Sequence, residues 1–390
     1  MPQVKKIGCI GFGHRAASIF QTIREYNESI ADCEDAPYLK LTAVMDIRPN
    51  VADDLKKSGY SDVHIYQTPE EMYEKEALDG MVIATRCSLH TDYALLNAKY
   101  GVPVLLEKPV CTHEEDADRL CTILEKMDDK TVVSFPLRSA PLAVRAREVV
   151  TSGVLGTISQ VQACNNVAYG RCYYHGWYRD DHETGGLFLQ KATHDLDLIS
   201  FLLGEPDVKD LCAMASKRIF KGDHPAGLHC PDCPERATCP ESDRNVATYG
   251  DRYGVSDGCC FAVDTGNQDS GTVLVNYENG MHAVYTQNFV ARKAAGKRMV
   301  RIIGYNATLE LEFYHNTVDV LYHNEGKCVH YDMPALHHSG GDRAMIEDFA
   351  RVVNGAPSKT PLRYGIRSAI LCMAAQRSSD NHTYEKIKQI

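Results

Sequence analysis

The chain has 390 residues, of which 44% are hydrophobic and 24% charged, with a formal net charge of −10 at pH 7. That length exceeds what one hydrophobic core usually organises, so two domains are expected, and the composition is that of a folded globular protein rather than a disordered one. The acidic balance argues against nucleic acid or an anionic membrane as a partner, and no apolar run approaches the ~18 residues of a membrane span. Met1 leads straight into a polar strand edge without a signal-peptide pattern. The 15 cysteines, an odd number scattered over strand and helix patterns, read as reduced thiols; both features point to the cytoplasm.

An apolar strand pattern ending at Ile10 breaks into Gly11-Phe12-Gly13-His14-Arg15-Ala16, and a helical pattern follows at Ala17, Ile19, Phe20 and Ile23. Strand, tight turn and helix in that order suit a dinucleotide. Gly11 and Gly13 let the backbone approach a pyrophosphate, and Ala16 permits close helix–strand packing. The amides opening the helix, at His14 and Arg15, face the phosphate charge. The run 39–46 reads as a second buried strand ending in Asp46, placed to grip the adenosine ribose, with Arg48 beside it. Gly11 and Asp46 lie farther apart than the usual ~20 residues, and an inserted loop from Tyr26 to Pro37 is expected to account for the excess.

Strand and helix patterns then alternate. A helix near 51–58, a strand at 64–66, a helix from Thr68 with Glu70 and Glu71 in its first turn, and a strand at 80–85 come first. A helix at 91–99, a strand at 102–106, one helix over 114–127 and a strand at 131–135 complete the half. This order predicts a doubly wound parallel sheet over 1–135, a Rossmann domain. Ligands of such sheets sit at the carboxyl ends of the strands, where Ala84, Thr85, Ser88, His90, Glu107 and Lys108 fall.

The rhythm changes from Pro136. A helix at 141–151, a strand at 157–167, an irregular loop and a long helix over 186–203 are followed by a strand near 208–215. Beyond a loop rich in Pro, Asp, His and Cys, strands crowd together at 260–265, 271–277, 281–290, 298–304, 308–313, 318–322 and 327–331. Helices over 342–353 and 364–379 close the chain, and the last is a candidate to pack back on the Rossmann domain. The second half, 136–390, is thus expected to be an α+β domain with a large, mostly antiparallel open sheet. Such a face calls for a partner, a homodimer or homotetramer.

Polar residues gather on the 186–203 helix. Gln190, His194 and Asp197 share one face, and Lys191 with Asp195 forms an adjacent i,i+4 pair of opposite charge. So many polar groups on a helix that also carries Leu187, Leu189, Leu196 and Leu198 suggest a cavity wall. The preceding loop holds Tyr169, Arg171, Trp177 and Arg179, whose aromatic faces and guanidinium forks suit a sugar, and Arg138 follows the last Rossmann strand. Cys230, Cys233 and Cys239, flanked by His224 and His229, have metal-ligand spacing. A structural zinc is expected there, and an iron–sulfur cluster would also need a fourth ligand, for which Cys259 or Cys260 is available.

Across nearly its whole length the chain resembles the family of glucose–fructose oxidoreductase, inositol dehydrogenase and the rhizopine catabolism protein MocA. The resemblance rests on the 11–16 fingerprint, Ala84-Thr85 with His90, Glu107-Lys108-Pro109, Gly185-Gly186 before His194-Asp195-Leu196-Asp197, and Gly340-Gly341-Asp342. It implies an NAD(P)-dependent oxidoreductase of a sugar, sugar acid or polyol, with Lys108 and His194 serving the reacting carbinol. The chemistry agrees, since oxidising a secondary alcohol requires a base for the hydroxyl proton. Asp46 favours NAD over NADP. Related dehydrogenases commonly carry an aspartate where this chain has Gln190, which removes a carboxylate from beside the histidine. Lys191 then biases the site toward an acidic sugar, unless Asp195 neutralises it. Two other readings fit the same residues: a redox-neutral enzyme using tightly held NAD transiently, for glycoside cleavage or epimerisation, and a non-catalytic NAD(P)-binding regulator.

Overall fold

A computed structural model of the chain describes residues 3–31, 33, 36–247, 256–334 and 340–390. They fall into two compact units, Met1–Pro141 with Leu336–Ile370 and Ile390, and Leu142–Ala335 with Leu371–Gln389.

The first unit is built on six parallel strands, β1 (Val4–Ile10), β2 (Tyr38–Met45), β3 (His64–Tyr66), β4 (Gly80–Ile83), β5 (Val104–Leu106) and β6 (Thr131–Val133). Their order is β3-β2-β1-β4-β5-β6, a doubly wound sheet whose direction of winding reverses between β1 and β4. The unbroken apolar runs of β4, β5 and β6 are buried at every position, as a sheet covered on both faces requires. Local chemistry sets the helix ends. The Thr68 hydroxyl accepts from Glu71 N at 3.3 Å to start the helix Pro69–Lys75, and Gly101, at φ +69°, ends the helix His90–Tyr100.

Two expectations give way here. The helix His14–Ser29 runs through Tyr26 instead of yielding to a loop, because Asn27 pairs with the Leu39 main chain through both amide atoms, at 2.8 and 3.0 Å. A longer helix therefore accounts for much of the wide Gly11–Asp46 spacing. The single helix expected over 114–127 is two, Glu114–Cys121 and Leu124–Met127. The unit also takes in the helix Gly341–Val353, whose Met345, Ile346 and Phe349 share a core with Ile7, Phe20 and Val82.

The second unit carries nine strands: β7 (Ile158–Asn166), β8 (Val208–Ser216), β9 (Ser270–Tyr277), β10 (His282–Asn288), β11 (Lys297–Gly304), β12 (Ala307–Glu312), β13 (Thr317–Tyr322), β14 (Cys328–Asp332) and β15 (Glu385–Lys386). Their order is β14-β13-β12-β11-β7-β10-β9-β8-β15, with β7 and β10 the one parallel pair among antiparallel neighbours. Burial alternates along β7, β9 and β10, the mark of a sheet with one covered face. The strand expected at 260–265 does not form; a single bridge joins His224 to Ala262, while Cys260 packs among Phe220, Tyr174 and Phe289. The helix expected over 186–203 is a π-helical turn, Phe188–Ala192, running into an α-helix, Thr193–Leu203, that stops at Gly204 with φ +90°. Among the described residues no helix is long and apolar enough to cross a membrane.

Gly341 starts its helix against the chain at Pro136, where a Cβ would stand 1.9 Å from the Pro136 carbonyl oxygen. Gly341→Ala is expected to destabilise the protein by about 1–3 kcal/mol through this overpacking, read as a lower midpoint in urea unfolding.

Candidate functional site

The carboxyl ends of the first unit's strands are stitched together. Gly11 N donates to Met45 O at 2.8 Å, Ala84 N to Ile10 O at 3.0 Å, Glu107 N to Ile83 O at 3.0 Å and Ser134 N to Leu106 O at 2.9 Å. Gly11 has φ +81°, and a Cβ there would meet Ala84 O at 2.9 Å, so glycine is required by the protein's own packing. Gly13 differs. A Cβ on it would meet nothing within 4 Å, and no side chain caps the helix His14–Ser29 that it opens. The turn thus presents open space and uncapped amides, with His14 exposed beside them, and these residues fit a dinucleotide phosphate. Thr85 and Ser88 lie on the loop after β4, both partly buried, whereas Ala84 is buried.

At the end of β2, Asp46 is buried and both its oxygens are engaged. Phe12 N donates to Oδ2 at 2.7 Å and Arg48 N to Oδ1 at 2.9 Å. The Arg48 guanidinium reaches Asp46 Oδ2 at 3.0 Å, Asp54 Oδ2 at 2.9 Å and Phe12 O at 2.6 Å. Burial would push the Asp46 carboxyl up, but the bonds from Arg48 and Phe12 hold it below its ordinary value. One cation between two carboxylates leaves this corner net negative.

At the end of β5, Glu107 turns inward. Its Oε1 accepts from Arg15 Nε at 2.6 Å and from the Ser134 hydroxyl at 2.7 Å, and Arg15 Nη2 reaches Asp342 Oδ1 at 3.0 Å. Arg15 and Glu107, expected to face the cofactor, are therefore committed first to each other. Burial raises the Glu107 carboxyl, yet Arg15, Ser134 and Lys108 together bring it below the usual carboxylate range. Lys108 follows, partly buried, with a cis bond to Pro109. His90 braces this segment from below, with Nδ1 donating to Pro109 O at 2.7 Å. Its ring is buried, so it supports the loop that carries Lys108. Arg138 is buried as well, its guanidinium 4.4 Å above the Tyr364 ring.

In the second unit the polar helix face is organised by Asp195. Arg298 Nε on β11 donates to its Oδ1 at 2.7 Å, and Asn165 Nδ2 on β7 and Tyr285 OH on β10 to its Oδ2 at 2.9 and 2.8 Å. The expected Lys191–Asp195 pair is replaced by Arg298, and the reason is local. The turn Phe188–Ala192 is π-helical, so i,i+4 spacing no longer stacks the two side chains. Lys191, 4% exposed, lies instead over the Tyr169 ring at 4.5 Å and donates to the Tyr169 hydroxyl. Burial and the neighbouring Arg298 bring the amine down to about 7, against opposing pulls from Asp195 and Cys172, and burial pushes the Tyr169 phenol up to about 12. Gln190 is buried on the same turn and His194 is partly buried one turn on.

The aromatic segment is anchored to the long loop. Tyr174 OH donates to Gln268 O at 2.7 Å, Asn267 Nδ2 to Tyr173 O and Tyr178 O, both at 2.8 Å, and Arg179 Nη2 to Asp264 Oδ1 at 2.6 Å. Trp177, 37% exposed, stacks on Tyr178 with ring centroids 4.0 Å apart. Arg179 thus fastens a loop, whereas Trp177 stays partly exposed and the Tyr169 ring carries Lys191. Cys230, Cys233 and Cys239 line one small cavity together with Cys259, which spacing alone left open. Sequence reasoning also missed Arg298, Asn165 and Tyr285, since nothing in strand periodicity marks the strand residues that will meet a helix carboxylate.

Comparison with known proteins agrees with this architecture. Residues 5–135 match the model of the oxidoreductase family with an NAD-binding Rossmann fold, and residues 143–310 match the GFO/IDH/MocA C-terminal domain. The putative oxidoreductase YteT of Bacillus subtilis (strain 168) is 22% identical over 388 residues, 88% of each chain. The D-glucoside 3-dehydrogenase of Escherichia coli (strain K12) is 29% identical over 184 residues, 46% of this chain and 51% of its own. Levoglucosan dehydrogenase, solved in complex with NADH and levoglucosan, superposes with a TM-score of 0.76 at 15% identity, over 99% of this chain and 100% of that one.

Glu107→Gln tests the buried ion pair. The loss at neutral pH is expected to be about 2–3 kcal/mol, short of the ~3–5 of a fully buried pair because Gln keeps the shape and Arg15 retains some exposure. Since the folded carboxyl titrates below its unfolded value, its stabilisation is complete above the ordinary glutamate range and fades as pH falls through the folded one. The gap between wild type and variant in urea midpoint is therefore flat near neutrality and narrows in acid.

Proposed function

Because the chain belongs to the GFO/IDH/MocA family of NAD-binding oxidoreductases, we propose that it is a dehydrogenase of a sugar, sugar acid or polyol, acting on a secondary carbinol. The observation that carries this reading is the open, uncapped turn at Gly13 in one unit together with the polar, aromatic-flanked helix turn at Lys191 in the other. Bound NAD would take up hydride from the carbinol. Lys108 and His194 are assigned to the reacting hydroxyl, one of them removing its proton. Trp177 supplies a ring face for the sugar, and Tyr169 positions Lys191. Lys191, a buried amine whose charge is held near its midpoint at neutral pH, favours a substrate bearing a carboxylate.

A redox-neutral outcome is favoured by one feature, a proton-exchanging lysine in addition to Lys108 and His194, since elimination and re-addition require more proton transfers than simple oxidation. Accumulation of NADH with substrate supports the dehydrogenase; product without NADH supports the alternative. The chain is assigned to the cytoplasm, where cysteines outside disulfides are the rule. Met214, Leu274 and Leu321 share one partly exposed face of the large sheet by register, and this face is assigned to pairing with a second copy.

NAD is the expected cofactor, because a 2′-phosphate would meet Asp46 and Asp54 around a single Arg48. Calorimetry should find NAD bound at least tenfold more tightly than NADP, and Asp46→Ala with Asp54→Asn should narrow that preference; tighter NADP binding by the wild type overturns the assignment.

A screen of neutral and acidic sugars with NAD tests the roles. Lys108→Ala and His194→Ala should each lower kcat by at least about 100-fold with NAD affinity within a few fold. Lys191→Met should raise KM for an acidic sugar selectively. In the wild type that KM should climb above pH ~7, as the amine loses its proton, while a neutral sugar shows no such limb. Equal losses on both sugar classes refute the role of Lys191.

A further inference from the structure

The segment between β8 and β9 is tied down by cysteines that no part of the oxidoreductase chemistry uses. Its described residues hold little regular structure, a 3-10 turn at Cys230–Asp232 and a short helix at Asp243–Ala247, yet their main chain is closely interlocked. Cys230 N donates to Asp257 O at 2.7 Å and Cys259 N to Leu228 O at 2.8 Å, with His229 and Gly258 bridged antiparallel between them. This pairing sets Cys230 beside Cys259 although they lie far apart in sequence. The turn Cys230–Asp232 brings Cys233 back, with its N–H donating to Cys230 O at 3.2 Å, and a further turn delivers Cys239, whose N–H donates to Glu235 O at 2.8 Å. The four side chains line one small cavity, which Cys260, His175 and Glu241 line as well.

Their surroundings are polar, with His224 and Glu241 in the same lining. Arg236 lines the same cavity, its guanidinium paired with Asp243 at 2.9 and 2.6 Å. His224 Nδ1 lies 3.5 Å from Cys259 Sγ, as an outer partner. Soft sulfur donors in C-x₂-C spacing with two further cysteines select zinc over hard cations.

We propose that Cys230, Cys233, Cys239 and Cys259 form a tetrathiolate site for a structural zinc ion. The trio His175, Glu241 and Cys260, whose ligand atoms lie within 4.8 Å of one another, lines the same cavity and is the competing set of ligands. There Arg171 stands 2.8 Å and Arg292 3.7 Å from the Glu241 carboxylate, and His175 Nδ1 donates to Gly258 O at 2.8 Å. Two guanidinium groups already meet that carboxylate and would repel a cation. Zinc at the four cysteines would fix the loop whose Gly258, Asp264, Asn267 and Gln268 hold the aromatic segment, and so maintain the wall of side chains around Lys191.

Protein purified reduced and without chelator should contain about one zinc per chain by elemental analysis, released when a mercurial blocks its thiols. Cobalt(II) exchanged into the intact protein should give the visible absorption of a tetrahedral thiolate complex. Cys259→Ser should lose both signals and Cys260→Ser should keep both. Wild-type protein with less than about 0.1 zinc per chain and no cobalt spectrum overturns the proposal, whatever the variants do. So does a brown chromophore with stoichiometric iron and sulfide, or loss of metal from Cys260→Ser but not from Cys259→Ser.

Discussion

The carboxylate of Asp195 accepts three hydrogen bonds from three strands of one sheet, and the polar helix face of the second unit depends on that convergence. β7, β10 and β11 are central neighbours in the nine-stranded order, and each contributes one donor. A buried carboxylate with this many partners is held in one position, because loosening any donor leaves a charged oxygen unsatisfied in a low dielectric. The helix Thr193–Leu203 is therefore fixed in rotation as well as in place. Its N-terminal extension, the π turn, is fixed with it, and so are the directions in which Gln190, Lys191 and His194 leave the backbone.

A different kind of constraint rules the first unit. There the strand ends are joined by main-chain bonds, and the charged side chains around them neutralise one another in small closed sets: Arg15 with Glu107 and Asp342, Arg48 with Asp46 and Asp54. The first set holds β5, β6 and the helix Gly341–Val353 around the root of the Lys108 loop. The second leaves a negative remainder where an adenosine ribose would lie. One partly exposed arginine in each set joins two carboxylates.

What could be read from the residues followed from how local its causes are. A strand that must end in a positive φ and a helix that must start without a capping side chain write themselves as Gly11 and Gly13, so the conformation of this turn was visible at once. Asp46 was visible for the same reason, at the end of an apolar run. The Lys191–Asp195 pair was misread because i,i+4 reasoning assumes 3.6 residues per turn, and no residue type announces a π turn. The strand expected over 260–265 failed because Cys260 and Phe261 are apolar for a different reason, to pack against Phe220. Arg298, Asn165 and Tyr285 were out of reach altogether, since their meeting point is created by sheet order. The cysteine spacing pointed to three ligands, and only strand-like pairing of the loop with itself placed Cys259 beside them.

The π turn has a consequence for how this helix face can change. A π turn holds one residue more than the α turn it interrupts, so it arises from, and is erased by, a single-codon insertion or deletion. Removing one residue from Phe188–Ala192 would restore the regular register and rotate every upstream side chain by ~100° relative to His194, carrying the lysine away from Tyr169. A one-residue deletion here would thus change the neighbour of His194 without any substitution in the helix itself. The length of this turn, and not only the residue type at position 191, therefore sets the charge that stands beside His194.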